Sequence, residues 1–220
     1  MLAKDYISLE IPILKSSDTC AQVLRWMDEY RVLHMPVFKG AEFIGIVSEA
    51  DILNVEDESQ PVQSLENKLM KVAVQGHSTI YEVIKLMDDF KLSLLPVLDD
   101  NKRLMGTISY KEVISALVTV FNLNARGAVF VLEMNYVDYA LSEISRIVES
   151  NDSRVLSTHV SFHPDSNLID VVVKVNTESL TGILQTLERY DYAVKASFGS
   201  SQTDDQLQER YEELMRYLNT

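Results

Sequence analysis

Cysteine is nearly absent from this chain: Cys20 is the only one in 220 residues. No disulfide can form within the chain, and a reducing compartment, the cytoplasm, is the expected home. Long apolar runs are missing too. No stretch of about 18 apolar residues occurs, so no helical membrane span is expected. The opening MLAKDYISLEIPIL carries acids where a signal peptide needs a basic flank. Basic residues are outnumbered, 20 against 33 acidic ones, for a formal net charge of −13. Nucleic-acid binding draws on phosphates neutralised by Lys and Arg, so no such partner is expected. The common catalytic motifs are missing as well: there is no Gly-rich P-loop, G-x-S-x-G elbow, C-x-x-C or H-E-x-x-H. Of the histidines, His34, His77, His159 and His163, the last two share a strand face about 13 Å apart at about 3.3 Å per residue. That is too far to share a metal. No catalytic residue, metal site or obligatory cofactor is expected.

What is present is a repeat. At an offset of 60, Thr19 falls on Thr79, Val23 on Val83, Met27 on Met87, Asp28 on Asp88, Pro36 on Pro96 and Val37 on Val97. One inserted residue later, Gly45 falls on Gly106 and Ser48 on Ser109. Agreement in this order and register marks an internal duplication. Thr19 with Gln22, and Thr79 with Glu82, fit capping boxes at helix starts. Cys20, Val23, Leu24 and Met27 then mark one apolar helix face, and Ile80, Val83, Ile84 and Met87 mark its counterpart. A strand ending in Pro-Val, a polar turn, a second strand and another helix follow, so each copy reads β-α-β-β-α. Neither copy is large enough to bury its own faces, so the two are expected to pack together. The acidic segment 54–64, with Pro61, reads as the linker between them.

The second helix of each copy starts at GIVSEADIL (45–53) and GTISYKEVI (106–114). Ser-x-x-Asp and Ser-x-x-Glu before apolar runs are capping boxes in their own right. The same corner also presents N–H groups and the positive end of a helix dipole, which suits a phosphate, and a short carboxylate that can accept from two ribose hydroxyls. Both readings stand on the residues alone. In the first corner Glu49 opposes a phosphate. In the second Lys111 favours one, and Glu112 is a methylene longer than Asp51. A ligand of little negative charge, or one occupied corner and one empty, fits better than a triphosphate.

The duplicated helix, hydrophobic-Pro-Val strand and Gly-x-hydrophobic-Ser-x-x-Asp corner resemble a pair of cystathionine-β-synthase (CBS) domains over residues 1–122, in copies of about 1–60 and 61–122. The resemblance implies an α+β fold in which tandem CBS domains form a pseudo-symmetric module with two clefts. It implies a sensor of adenosine-containing ligands such as AMP, ADP, ATP or S-adenosylmethionine. Ser48 would meet phosphate and Asp51 ribose, while His34, Met35 and Pro36, with Leu14, Ser16 and Ser17, would flank adenine. Their counterparts are Ser109 and Glu112, with Leu94, Leu95, Pro96, Val74 and Gly76, and Lys111 adds a cation beside that second corner.

From Gly127 the pattern changes. Strand-like Ala128–Met134, a helix face of Ala140, Leu141, Ile144, Ile147 and Val148, and a strand Arg154–Phe162 with Leu156, Val160 and Phe162 on one side come first. Alternating Ile169, Val171, Val173 and Val175 follow, then a helix face of Leu180, Ile183, Leu184 and Leu187. A last strand carries Tyr192, Val194, Ala196 and Phe198. The order βαββαβ is the ferredoxin-like split unit, expected over 127–200. After a CBS pair it resembles an ACT domain, a small module that often binds amino acids and pairs across a dimer. Asn135, Tyr136, Val137 and Asp138 stand where an ACT ligand loop lies. Residues 201–220 read as a charged helix with a narrow stripe of Leu207, Tyr211, Leu214 and Leu218. The whole order resembles the acetoin-utilisation AcuB type of regulatory protein, which implies a non-catalytic homodimer acting on an unidentified target. Two alternatives stay open: a ligand-free dimerisation scaffold, and an amino-acid sensor through the ACT-like part.

Overall fold

The computed structural model describes residues 1–199, so the charged helix expected over 201–220 lies outside the described residues. The chain divides into two compact units, Met1–Val120 and a second beginning at Phe121. In the first unit, one copy contains β1 (Leu14–Lys15), α1 (Cys20–Tyr30), β2 (His34–Lys39), β3 (Glu42–Ser48) and α2 (Glu49–Leu53). The other contains β4 (Val74–Gln75), α3 (Ile80–Asp89), β5 (Leu94–Leu98), β6 (Leu104–Ser109) and α4 (Tyr110–Val120). The expected β-α-β-β-α order is present twice. Each copy builds a three-stranded sheet, β1-β2-β3 and β4-β5-β6, in which the first pair is parallel and the second antiparallel.

Local chemistry sets the helices. The Thr79 hydroxyl accepts the Glu82 N–H, and the Glu82 carboxylate accepts the Thr79 N–H at 2.7 Å, a complete capping box. Thr19 accepts the Gln22 N–H in the same way. Cys20, Val23 and Met27 on α1, and Ile80, Val83 and Met87 on α3, are the buried faces that the spacing foretold.

The segment between the copies is not a loose linker. The Cys20 N–H donates to Gln60 O at 3.0 Å and the Ala21 N–H to Glu58 O at 2.9 Å. These two donors in the first turn of α1 have no partner inside the helix. Val62 and Gln63 in turn donate to Asp18 O and Ser16 O. Val62, Leu65 and Leu69 then complete the apolar core around α1. The N-terminal segment does the same for the other copy: the Ile80 N–H donates to Met1 O, the Ala3 N–H to Ser78 O and the Lys4 N–H to Gly76 O. Ala3 is wholly buried in the core around α3. Each copy is therefore closed by the segment that precedes the other copy. The cores also interlock. Leu94 of the second copy lies in the core around α1, and Ile46 of the first lies in the core around α3. The sequence repeat, at about 1–60 and 61–122, is not the packing repeat.

The recurring glycines mark where these straps cross. Ser8 exchanges two backbone hydrogen bonds with Thr107, and Met70 exchanges two with Ile46. A Cβ on Gly106 would stand 2.9 Å from Ser8 O and 3.0 Å from Ile7 Cβ. One on Gly45 would stand 2.7 Å from Leu69 Cβ, and Gly45 also holds φ at +147°, a backbone state that side chains resist.

The second unit is the expected βαββαβ: β7 (Val129–Asn135), α5 (Leu141–Ser150), β8 (Val155–Phe162), β9 (Leu168–Val175), α6 (Thr181–Arg189) and β10 (Ala193–Phe198). All neighbouring strands in its sheet, ordered β10-β7-β9-β8, are antiparallel. Ile169, Val171, Val173 and Val175 are buried against Ile144, Ile147, Val148, Ile183 and Leu187. Two expected strand faces are broken by bulges. The register shifts between Val155 and Ser157 and again between Val194 and Ala196. A bulge inserts an extra residue and shifts the alternation, so Val155 rather than Leu156 packs on the core side with Val160, and Ala196 leaves the side of Val194. Phe162 and Phe198 are both exposed.

Gly106→Ala is expected to destabilise the first unit by about 1–3 kcal/mol through overpacking of the strap. The urea midpoint followed by fluorescence of Trp26, the chain's one tryptophan, measures this. An unchanged midpoint would contradict the close crossing.

Candidate ligand clefts

At the first corner the Ser48 hydroxyl accepts the Asp51 N–H at 3.1 Å and donates to Asp51 Oδ2 at 2.5 Å. The Glu49 N–H donates to Leu33 O at 2.9 Å. The helix that follows, α2, has only five residues. At the second corner the Glu112 carboxylate accepts both from the Ser109 N–H, at 2.9 Å, and from the Ser109 hydroxyl, at 2.5 Å. The Lys111 N–H donates to Ser109 Oγ at 3.2 Å, and α4 runs for eleven residues. Both corners are helix caps. At the second, both contacts from Ser109 end on Oε2 of Glu112, so they do not engage Oε1.

The two copies are stitched together beside these corners. The Leu33 N–H donates to the buried Ser93 hydroxyl at 2.8 Å, and the Ser93 N–H donates to His34 Nδ1 at 3.1 Å. Residues 33 and 93 are partners in the duplication, so each backbone donor is met by a side chain of the other copy. As acceptor, Nδ1 carries no proton, which places the proton of the neutral ring on Nε2. Burial pushes the His34 imidazole below its ordinary value of 6.5, and nearby Asp51 opposes part of that shift.

The second corner opens onto a cleft of about 260 Å³. Ser109, Tyr110, Lys111 and Glu112 form one wall; Tyr30, Arg31 and Val32 from the end of α1 form another; Ser8, Glu10 and Ile11 of the N-terminal strap and Ser93 complete it. The structure thus joins three of the residues singled out in the sequence, Ser109, Lys111 and Glu112, to a set that the motif did not name. Arg31 reaches the cleft because it ends α1 in the left-handed conformation, φ 56°. Its duplication partner Lys91 has φ 52°, so the repeat carried a signal for this position. Lys111 pairs with Glu10 at 3.2 Å and Arg31 with Asp28 at 2.9 Å.

The remaining singled-out residues lie elsewhere. Leu14, Met35, Pro36, Val74, Gly76, Leu94, Leu95 and Pro96 are buried, and none lines this cleft. Ser16 is half-buried, its N–H bonded to Phe38 O, and Ser17 is exposed.

In the second unit a cleft of about 500 Å³ is lined by Asn135 and Asp138, with Glu133, Glu143, Tyr190, Asp191 and Tyr192 among its neighbours. On the sheet, Glu133, His163 and Asp170 bring ligating atoms within 4.8 Å of one another. The Lys195 ammonium already lies 2.9 Å from Asp170 and 3.0 Å from Glu133. With His163 it holds the Asp170 carboxyl below the usual range. This is an ion-pair network that supplies its own cation. Its members come from separate strands and the loop at His163, so no spacing in the sequence announced it.

Two interlocked α+β repeats, each with a serine–acid helix corner, define a duplicated module. The family model of the CBS domain matches residues 3–58 and again 68–119, and the first unit belongs to that family as a tandem CBS pair. An inosine-5'-monophosphate dehydrogenase of Korarchaeum cryptofilum is 27% identical over 111 residues, which are 50% of this chain and 23% of that one. The chain thus spans about a quarter of that relative's length. Among solved structures, a CBS domain pair/ACT domain protein of Thermotoga maritima is 24% identical, with a TM-score of 0.48, covering 54% of this chain and 98% of that one. An acetoin utilization protein (AcuB) of Vibrio cholerae is 18% identical, also with a TM-score of 0.48, covering 56% and 95%. Among the described residues no helix is long and apolar enough to cross a membrane.

The half-buried His34 gives the first unit a pH dependence of defined sign. With its folded-state value depressed, the folded chain binds fewer protons than the unfolded chain below about 6.5, so stability falls as pH drops below that point. The Trp26-monitored urea midpoint is expected to decline from pH 7.5 to 5.5 in the parent chain, and to decline less in His34→Gln. Equal slopes in the two would contradict the assignment.

Proposed function

We propose that the first unit is a non-catalytic sensor that binds an adenosine-containing ligand in the cleft at Ser109–Glu112. CBS-domain proteins are regulatory and often bind adenosine ligands. The observation that carries the reading is the cleft itself: an eleven-residue helix starts on it, with Lys111 for a phosphate and Glu112 Oε1 for ribose hydroxyls. The first corner is the weaker site, because Glu49 stands at the start of a five-residue helix and its N–H is already bonded. The volume sits below the range of about 300–1,000 Å³ typical of small-molecule pockets. AMP or S-adenosylmethionine therefore suits it better than ATP. In this reading the protein is cytoplasmic and homodimeric, and ligand binding biases the two CBS copies against each other. The second unit, read as ACT-like, carries that bias to a regulated partner.

Isothermal titration with AMP, ADP, ATP and S-adenosylmethionine tests the proposal. AMP is expected to bind, and Glu112→Ala to weaken it about tenfold, the scale of a lost charge-assisted hydrogen bond. Asp51→Ala should leave that affinity within about twofold. No binding by any of the four at millimolar concentration would overturn it.

A second reading is favoured by the larger cleft at Asn135 and Asp138, the loop that the ACT resemblance indicates: an amino acid bound there through its ammonium group. It predicts a melting shift with a free amino acid that is lost in Asp138→Ala. A screen of the twenty amino acids without a shift would exclude it.

A further inference from the structure

We infer that Glu10 is a built-in rival anion for the second cleft, and that it sets how much negative charge the cleft's ligand carries. The inference rests on the nucleotide reading above and deepens it.

Glu10 belongs to the N-terminal strap. Two residues earlier, Ser8 is held to Thr107 of β6 by two backbone hydrogen bonds of 2.8 and 3.0 Å. The Ser8 hydroxyl accepts the Glu10 N–H at 3.2 Å, fixing the local turn. From that anchored position the Glu10 carboxylate reaches Lys111 at 3.2 Å, across a separation of 101 residues in sequence. Both residues line the same cleft. The pair therefore holds the cleft's own cation at its wall with an anion supplied by the chain.

The strength of the pair decides its role. The Lys111 and Glu10 side chains are 72% and 71% exposed, and exposed pairs contribute about 0–1 kcal/mol. A phosphate entering beside Ser109 can take Lys111 from Glu10 at small cost, but it must do so for each ligand bound. Glu10 then faces that phosphate, with Glu112 beside it at the ribose, and the repulsion from these acids grows with the phosphate's charge. Arg31, across the cleft, is the compensating cation, and Asp28 partly engages it. A singly phosphorylated nucleoside meets this balance of two cations and two acids. A triphosphate exceeds it.

The test is isothermal titration of the full chain with adenosine, AMP and ATP, using the parent, Glu10→Gln, Lys111→Gln and the double variant. Glu10→Gln is expected to raise AMP affinity about two- to fivefold, the range set by an exposed ion pair. The gain should be larger for ATP and smaller for adenosine, which has no phosphate. In the Lys111→Gln background the AMP gain should shrink to the part left by direct repulsion, because the contest is for Lys111. An unchanged AMP affinity in Glu10→Gln, or a gain undiminished without Lys111, would overturn the role of Glu10 and leave the nucleotide reading standing. Absence of binding by all three ligands to the parent chain would overturn both. Urea midpoints of the four proteins establish that each is folded.

Discussion

The first unit depends on an exchange of backbone hydrogen bonds between the two repeats. Residues 58–63 satisfy the free donors at the start of α1, and the N-terminal residues meet the start of α3. A helix end buried without partners would forfeit about 1–3 kcal/mol for each unmet donor, so neither copy stands as a closed fold without the segment that precedes the other. The apolar contribution runs the same way: Val62, Leu65 and Leu69 seal one core, and Ala3 the other. Glycine at 45 and 106 follows as a steric consequence, because the straps pass where a Cβ would sit.

This exchange also shapes the candidate site. Once the N-terminal strap has crossed β6, its next residues form a wall of the cleft at Ser109–Glu112. The end of α1 supplies the facing wall because Leu33, Ser93 and His34 tie the two copies together at that point. The cleft is therefore composite, drawing on both repeats and on the strap. The duplication is pseudo-symmetric in backbone and asymmetric in charge. Glu49 stands beside Ser48 in one corner and Lys111 two residues after Ser109 in the other. Two caps at matching positions of the repeat thus differ in what they offer an anion.

Much of the fold was legible in the sequence, because spacing carries it. The matched pairs from Thr19/Thr79 to Ser48/Ser109 announced the duplication, and Ile169, Val171, Val173 and Val175 announced a half-buried strand. The strap was not legible: the acids and Pro61 of segment 54–64 have the composition of a linker, and its role is played by backbone carbonyls that carry no residue signature. The bulges at 155–157 and 194–196 escaped notice for a related reason, since alternation over a short strand does not reveal where one residue is skipped. At the site, the motif led to Ser109, Lys111 and Glu112 but not to Arg31 or Glu10. Those two are brought in by a left-handed helix end and by a chain crossing about a hundred residues distant. Pro36 and Pro96, expected to flank adenine, are buried together with most of the strands that carry them.

The most direct measurement of the central claim is a titration of isotopically labelled protein with AMP, followed by amide chemical shifts. The account predicts that saturable shifts concentrate at residues 8–11, 30–32 and 109–112, the three segments that wall the composite cleft. Shifts confined to residues 48–51 or to the second unit, or no shifts at millimolar AMP, would contradict it.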